Sequence, residues 1–369
     1  MNTAKAGNYG KIIAFFLIAV ILLCAFGFAA DGWQSFAESG SDSSDADGDI
    51  GEADDDKNPT PSEPKEPEIY IPQYVNVVSG LETTDELSRL RPVAFLMDSS
   101  APLYGISEAD IMIEFPTESG ATRLLALTSD PSSLGKIGSL APTRDYISNL
   151  AKHFGAILVS NGCDDSIEYD ALDISSSHLD LSLHSGYHYT EFTHFAYTNG
   201  ALINAGISNA NIGTALNTRQ SLPYVFTDFG AERITYDVSA KSILLPYSSS
   251  SETELYYSEA DGKYTFSKGG STKTDMLTDK ATSFDNVFVL FADTITYESS
   301  EGVEMVMDTM TSGNGYYITG GGATEICWEI TPSGSMIFRD QNGSTLTINR
   351  GTSYIGFMKS SLSEQISFS

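Results

Sequence analysis

An apolar run near the N-terminus, followed at once by a long acidic tract, constrains this chain more than any later feature. Residues 12–30 are almost entirely apolar, and Lys5 and Lys11 precede them without any acidic residue. Nineteen helical residues extend about 28 Å, close to the thickness of one hydrocarbon core. Positive charge before the run and negative charge after it predict a cytoplasmic N-terminus and an extracytoplasmic body at the cell membrane.

The apolar run fits three kinds of leader. Its length suits an uncleaved membrane anchor. It also has the basic start and apolar centre of a secretory signal, with a small-x-small cleavage site at residues 27–29. Cys24 would suit a lipoprotein signal, although Leu22 and Leu23 stand where small residues are expected. All three alternatives export the body, so they predict the same location and differ only in how the body is attached to the membrane.

Residues 31–70 carry thirteen acidic residues and two lysines, together with many serines and prolines. Such a tract has almost nothing to bury and its like charges repel, which predicts a disordered, extended stalk. The roughly 300 residues beyond it suit one large domain or two ordinary ones. The net charge of −29 argues against nucleic acid as a partner, because a general basic surface is missing.

Strand and helix patterns alternate in the first part of the body, which predicts a mixed α/β domain over residues 71–230. Apolar runs predict strands, and a threonine followed by an acid and an amphipathic face predicts the first helix. The predicted strands cover residues 91–98, 109–115, 122–128 and 156–160, and the predicted helices cover 143–153, 199–205 and 209–217.

Short strand-like runs separated by Gly, Ser, Asp and Asn clusters dominate from about residue 229 to residue 349. This pattern predicts a smaller, mainly antiparallel β domain over residues 231–369, and hence an α+β chain overall. The glycines at 313, 315 and 320–322 resemble phosphate loops. Their flanks are strands rather than helix starts, however, so we expect turns and bulges there.

Six polar residues border apolar elements and are the candidates for anion or ligand binding: Asp110, Glu118, Arg123, Arg144, Asp145 and His194. The two arginines stand out in an acidic body, because a guanidinium binds carboxylate or phosphate in a bidentate manner. We expect Glu118, Arg123, Arg144 and His194 to meet in one partly exposed cleft. The alternative is that the arginines pair with Glu114, Glu118 or Asp145 and only organise the domain.

No motif indicates a cofactor or a metal site, and no catalytic residue can be assigned. Four of the five histidines fall within residues 178–194, but the spacing fits aromatic loop packing better than a metal site. Ser160 and Ser139 are candidate nucleophiles without a G-x-S-x-G elbow. Cys163 and Cys327 form either a disulfide or a pair of buried free thiols.

A series of short segments in this chain forms a recognisable set: 76–81, 91–94, 105–111, Glu114, 118–123, 136–138, 144–151, 161–162, 313–315, Trp328, 338–340, Gly343 and Gly351. Together, these segments resemble the YerB-like family of exported bacterial lipoproteins. They occur in the family's order over roughly residues 75–358. The chain departs from the family pattern at residues 140–144, where a second basic residue is usual, at residues 193–194, where a Pro-His pair is usual, and in its lipobox.

Two functions follow from this layout. The first is a membrane-tethered binding or scaffolding module for a cell-envelope component or another exported or membrane protein, with no catalysis. The second is an envelope enzyme acting on a lipid-linked phosphate or glycan. The order of Asp110, Arg123 and Arg144-Asp145 loosely resembles the LytR-CpsA-Psr phosphotransferases, in which arginines stabilise charge on a transferring phosphoryl group. An apolar groove beside Arg144 would favour the second function, and a packed core there would favour the first.

Overall fold

The computed structural model describes residues 69–117, 120–162, 177–191, 195–217, 221–299, 302–308 and 312–369. The predicted leader (1–30) and nearly all of the predicted stalk (31–70) lie outside these ranges. Among the helices that are described, none is long and apolar enough to cross a bilayer. Residues Glu66–Ser369 form one compact unit.

The first half of this unit is built from short buried strands. The strands over residues 93–98, 111–116 and 157–160 are mainly apolar and buried because both faces of the sheet are covered there. The strands are β1 (Val93–Asp98), β2 (Ile111–Pro116), β3 (Thr122–Thr128), β4 (Ile137–Leu140), β5 (Ile157–Ser160), β6 (His178–Asp180), β7 (Tyr189–Thr190), β8 (Ala196–Thr198) and β9 (Val225–Phe226).

Three helices accompany these strands: α1 (Asp85–Ser88), α2 (Asp145–His153) and α3 (Gly200–Asn209). The predicted helix over 143–153 is confirmed as α2, and the one over 199–205 as the start of α3. The predicted helix over 209–217 is wrong. Asn211 has a left-handed backbone with φ of 54°, which ends the helical path directly after α3.

The second half of the described chain is almost entirely β structure. Its strands are β10 (Val238–Ser239), β11 (Ser242–Ser248), β12 (Ser251–Ser258), β13 (Lys263–Lys268), β14 (Ser271–Thr272), β15 (Ser283–Phe284), β16 (Asn286–Ser299), β17 (Gly302–Asp308), β18 (Ser312–Thr319), β19 (Gly322–Ile330), β20 (Met336–Arg339), β21 (Thr347–Ile348), β22 (Ser353–Lys359) and β23 (Ser367–Phe368). β11 alternates between buried and half-buried residues, as expected for a strand with one covered face.

One 15-stranded sheet runs through both halves. Its central strand is β22, which pairs in parallel with β16 on one side and with β2 on the other. β11, β12 and β13 form an antiparallel meander within a separate six-stranded sheet, and β9 pairs with β21. The second half is mainly antiparallel, as predicted, and the two parallel pairs of β22 are the exceptions. Whether the boundary near residue 230 separates two domains stays a prediction.

The glycines that resembled phosphate loops have two different roles. Gly313 and Gly315 lie inside β18, so the prediction of a turn or bulge there is wrong. Gly320 and Gly321 have φ of 60° and 83° and form the tight turn between β18 and β19, as predicted. In neither place does a helix follow, so the glycines do not form a phosphate cradle.

Candidate functional site

The carboxyl ends of three parallel strands define the candidate site. β5 pairs in parallel with both β1 and β6, so the ends of these strands meet at one edge of the sheet. Asp98, Ser160 and Asp180 are the last residues of β1, β5 and β6. Loops beyond the carboxyl ends of parallel strands commonly form binding sites. We call this region the carboxyl edge.

The start of α2 is fixed to the carboxyl edge by backbone hydrogen bonds. The N–H of Thr143 donates to the carbonyl of Gly162 at 2.9 Å, and the N–H of Asn161 donates to the carbonyl of Ala141 at 3.0 Å. Arg144 is the N-cap of α2, with extended backbone angles and an 8 % exposed side chain. The loop after β5 and the first turn of α2 therefore lie side by side.

Arg123 reaches the same edge from β3. It stands opposite Asp98 of β1, and its Nη1 donates to the carbonyl of Pro142 at 2.8 Å. Pro142 is two residues before Arg144, so this hydrogen bond ties Arg123 to the segment that leads into α2. Arg123 is half-buried and is the more exposed of the two.

The other predicted site residues divide into two groups. Glu118 and His194 lie outside the described residues, and only the backbone of Asp145, the first residue of α2, is described. Asp110 lies elsewhere: its carboxylate accepts from Asn76 Nδ2 at 2.8 Å and from the N–H of Ser129 at 2.8 Å. This position is about five strand residues from Arg123, or roughly 17 Å along β3. Asp110 therefore stabilises the opposite end of the sheet.

Ser160 and His178 form a hydrogen-bonded pair at the carboxyl edge. Ser160 Oγ lies 2.8 Å from His178 Nε2, and both residues are buried. Burial lowers the pKa of His178 to about 4, so the imidazole is neutral at physiological pH. Asp180 Oδ1 accepts from the N–H groups of Gly162 and Ser182. The pair resembles an activated serine, but Ser160 is fully buried, and its hydroxyl also lies 3.1 Å from the carbonyl of Gly162.

The sequence did not reveal a densely connected polar group centred on Glu114 of β2. This fully buried carboxylate accepts from Thr122 Oγ1 at 2.6 Å, Thr253 Oγ1 at 2.8 Å and Tyr354 Oη at 2.6 Å. It also pairs with Lys268 Nζ at 2.6 Å. The suggestion that Glu114 pairs with one of the two arginines is therefore wrong.

The Glu114 cluster joins distant parts of the chain. Thr253 and Lys268 come from the six-stranded sheet, and Tyr354 comes from β22. Tyr354 Oη also lies 3.0 Å from Tyr247 Oη, and burial beside the Glu114 carboxylate raises the pKa of both phenols well above the ordinary value. Both oxygens of the Glu114 carboxylate accept hydrogen bonds, which is typical of a structural network rather than of a reactive group.

The state of Cys327 tests the prediction made for Cys163 and Cys327. Cys327 is a free and exposed thiol, which contradicts both alternatives at this position, the disulfide with Cys163 and the pair of buried thiols. Cys163 lies outside the described residues.

Comparison with known proteins agrees with this architecture. Residues 78–213 match the N-terminal domain, and residues 243–355 the C-terminal domain, of a family described as protein of unknown function DUF3048. A stretch of 233 residues is 26% identical to the putative lipoprotein YerB of Bacillus subtilis (strain 168). The chain belongs to the YerB-like family. The matched stretch covers 58% of this chain and 66% of that relative, just under two thirds of its length.

The fold of the YerB-like family is also known from a crystal structure of the YerB protein from Bacillus subtilis. That structure superimposes with a TM-score of 0.70 at 21% identity, and the match covers 80% of this chain and 100% of the solved one. The likeness supports a mostly β architecture with few helices for the present chain.

Proposed function

We propose that this protein is a membrane-tethered, extracytoplasmic binding module that recognises an anionic group of a cell-envelope component or exported partner at the carboxyl edge. The observation that carries the proposal is the hydrogen bond from Arg123 to the Pro142 carbonyl, which ties Arg123 to the segment that leads into Arg144. The half-buried Arg123 would contact the ligand directly, and the more buried Arg144 would contribute positive charge from the protein side of the site. The similarity to a putative lipoprotein supports the exported location.

The first turns of α2 support binding rather than phosphotransfer to a lipid-linked substrate. Ile147 and Leu150, three and six residues after Arg144, are 0 % exposed within the hydrophobic core. An undecaprenyl-type chain needs a deep apolar groove, whereas the described residues beside Arg144 are packed against one another. A non-catalytic module fits this arrangement better.

The electrostatic setting also favours one small anion site. The chain has a net charge of −29, so its overall negative potential repels an approaching anion. Two guanidiniums at one edge would add local positive charge and planar, bidentate donors beside the carboxylates of Asp98 and Asp180. Selectivity would therefore come from geometry at the carboxyl edge and not from overall attraction.

The test compares Arg144→Ala and Arg123→Ala with the matched control Arg89→Ala. Arg89 is a surface residue whose side chain is 71% exposed and pairs with Asp85. Binding of inorganic pyrophosphate is measured by titration calorimetry, and stability is measured by thermal unfolding. We expect the wild type and Arg89→Ala to bind, and both site variants to lose binding while still unfolding cooperatively.

The opposite pattern would contradict the proposal. If Arg144→Ala binds pyrophosphate as the wild type does and loses about 3–5 kcal/mol of stability, Arg144 is only a member of a buried structural pair.

A further inference from the structure

A second cleft lies far from the arginines in sequence, on the sheet formed by β16, β18 and β19. It has a volume of about 490 Å³, within the range of small-molecule sites. We call it the β18–β19 cleft. It contains neither Arg123 nor Arg144, so it is independent of the function proposed above.

Four side chains from paired strands form one wall of the cleft. Asn314 stands opposite Cys327, and Tyr316 stands opposite Glu325. Directly opposed residues of an antiparallel pair project from the same face, so these four side chains form one surface. Asn314, Glu325 and Cys327 are exposed, and Tyr316 is half-buried.

The floor of the cleft is closely packed. Gly313 lies opposite Trp328, and a Cβ at Gly313 would come within 2.2 Å of the Phe291 carbonyl oxygen and 2.5 Å of Trp328 Nε1. Trp328 Nε1 itself donates to that carbonyl at 3.0 Å. Gly313 and Trp328 alternate with Asn314 and Cys327 along their strands, so these contacts lie on the opposite face of the sheet and hold the backbone beneath the cleft in place.

The lining combines aromatic surface with neutral polar groups. The rings of Phe291 and Tyr316 lie edge to face with centroids 6.1 Å apart. Gln341, Ser360 and Ser363 complete the rim. Among the described lining residues, Glu325 is the single charged one. An anionic ligand would meet a carboxylate and no cation there, so the lining selects against anions.

We propose that the β18–β19 cleft binds a neutral glycan segment bearing N-acetyl groups. The apolar face of a pyranose ring can pack on Tyr316, because an aromatic side chain offers flat apolar surface and a polar tip. The side-chain amides of Asn314 and Gln341 each offer a donor and an acceptor, which match the N–H and C=O of an acetamido group. A cleft of this volume holds about two sugar rings.

Calorimetric titration of the full chain in detergent with N-acetylglucosamine tetramer tests the proposal. The matched variants are Ser363→Trp, which fills the cleft, and Ser361→Trp, which adds the same side chain at an exposed neighbouring position outside it. We expect binding by the wild type and by Ser361→Trp, and loss of binding in Ser363→Trp with an unchanged melting temperature.

Cys327 provides a second, local measurement. Its thiol lies on the cleft wall and contacts Asn314 Oδ1 at 3.6 Å. Alkylation by N-ethylmaleimide, followed at the Cys327 peptide by mass spectrometry, should slow about tenfold in the presence of the tetramer, because a ligand in such a site buries most of its surface. Since readout is confined to that peptide, other cysteines do not interfere.

Three outcomes would overturn the proposal. One is an unchanged alkylation rate at every soluble tetramer concentration. Another is binding that survives in Ser363→Trp. The last is binding of the deacetylated, cationic tetramer without binding of the acetylated one, because the cleft would then recognise charge through Glu325. Arg144→Ala should leave tetramer binding intact, so failure of this proposal and failure of the anion site are distinguishable.

Discussion

At the scale of single residues, the decisive feature is the buried ion pair between Glu114 and Lys268. The carboxylate is 0% exposed and the lysine side chain 11% exposed. Burying two charges is costly, and the pair compensates only because hydroxyl groups satisfy the remaining lone pairs. We therefore expect the pair to contribute little net stability. Its main effect is to specify which strands pack together.

This predicts a large and asymmetric effect of substitution. Lys268→Ala should lower the free energy of unfolding by about 3–5 kcal/mol, because the Glu114 carboxylate would remain buried without its cation. The control is Lys241→Ala, whose side chain is 57% exposed and pairs with Glu259; we expect a change below about 1 kcal/mol. Urea unfolding followed by tryptophan fluorescence measures both.

Restoring charge balance gives the complementary check. The double variant Glu114→Gln, Lys268→Met should recover a large part of the loss, since no uncompensated charge stays buried. Equal losses in Lys268→Ala and Lys241→Ala would show that the buried pair contributes no more than a surface pair.

At the scale of elements, α2 and β6 each bury a histidine next to β5. His153 is the last residue of α2, and His178 is the first residue of β6. Burial lowers the pKa of each to about 4 from the ordinary 6.5, although a hydrogen bond with the Gly334 backbone partly opposes this at His153. Protonation of either imidazole therefore lowers the free energy of unfolding.

We predict that the protein loses stability as the pH falls from about 6.5 to 4. In that window the unfolded chain binds protons that the folded chain excludes, so protonation favours unfolding. With each pKa unit worth about 1.4 kcal/mol, each histidine can cost up to about 3 kcal/mol by pH 4. Urea titrations at pH 7 and pH 4.5 measure the loss.

His178→Gln isolates the contribution of one imidazole. A glutamine keeps a polar group near Ser160 Oγ but does not titrate, so the difference between the two pH values should shrink. His184→Gln, at an exposed position, serves as the control and should leave the difference unchanged. An undiminished loss in His178→Gln would assign the acid sensitivity to other groups.

At the scale of the whole molecule, β22 joins the two halves of the described chain. It pairs with β16 and with β2, and its residues from Tyr354 to Met358 are buried. Without β22, one edge of β2 would expose unpaired backbone groups and apolar surface. The halves are thus coupled through a strand contributed by the far end of the sequence.

We predict that residues 69–230 do not fold when expressed alone, whereas residues 69–369 unfold cooperatively. Circular dichroism and amide exchange distinguish a folded fragment from a collapsed one. Adding a separate 231–369 fragment should restore protection in β2. Cooperative unfolding of 69–230 by itself would instead establish an independent domain ending near residue 230.

Local patterns were sufficient for much of the secondary structure. The apolar runs predicted β1, β2, β3 and β5, and α2 follows from its polar start and apolar face. These succeed because each short buried element needs a pattern that its own residues carry. The glycines at 320–321 were identified as a turn for the same reason, since only a left-handed backbone closes so tight a connection.

The sequence by itself determined the apolar leader, the acidic tract, the neighbouring candidates Arg144 and Asp145, and the β-rich second half, because these are properties of contiguous residues. The tertiary structure decided that Arg123 donates to the Pro142 carbonyl, that Asp110 lies at the far end of the sheet, that Glu114 meets Lys268, and that β22 stands at the centre. Each of these depends on which strands pair. Pairing between segments more than a hundred residues apart is set by the burial of whole faces, which no local pattern encodes.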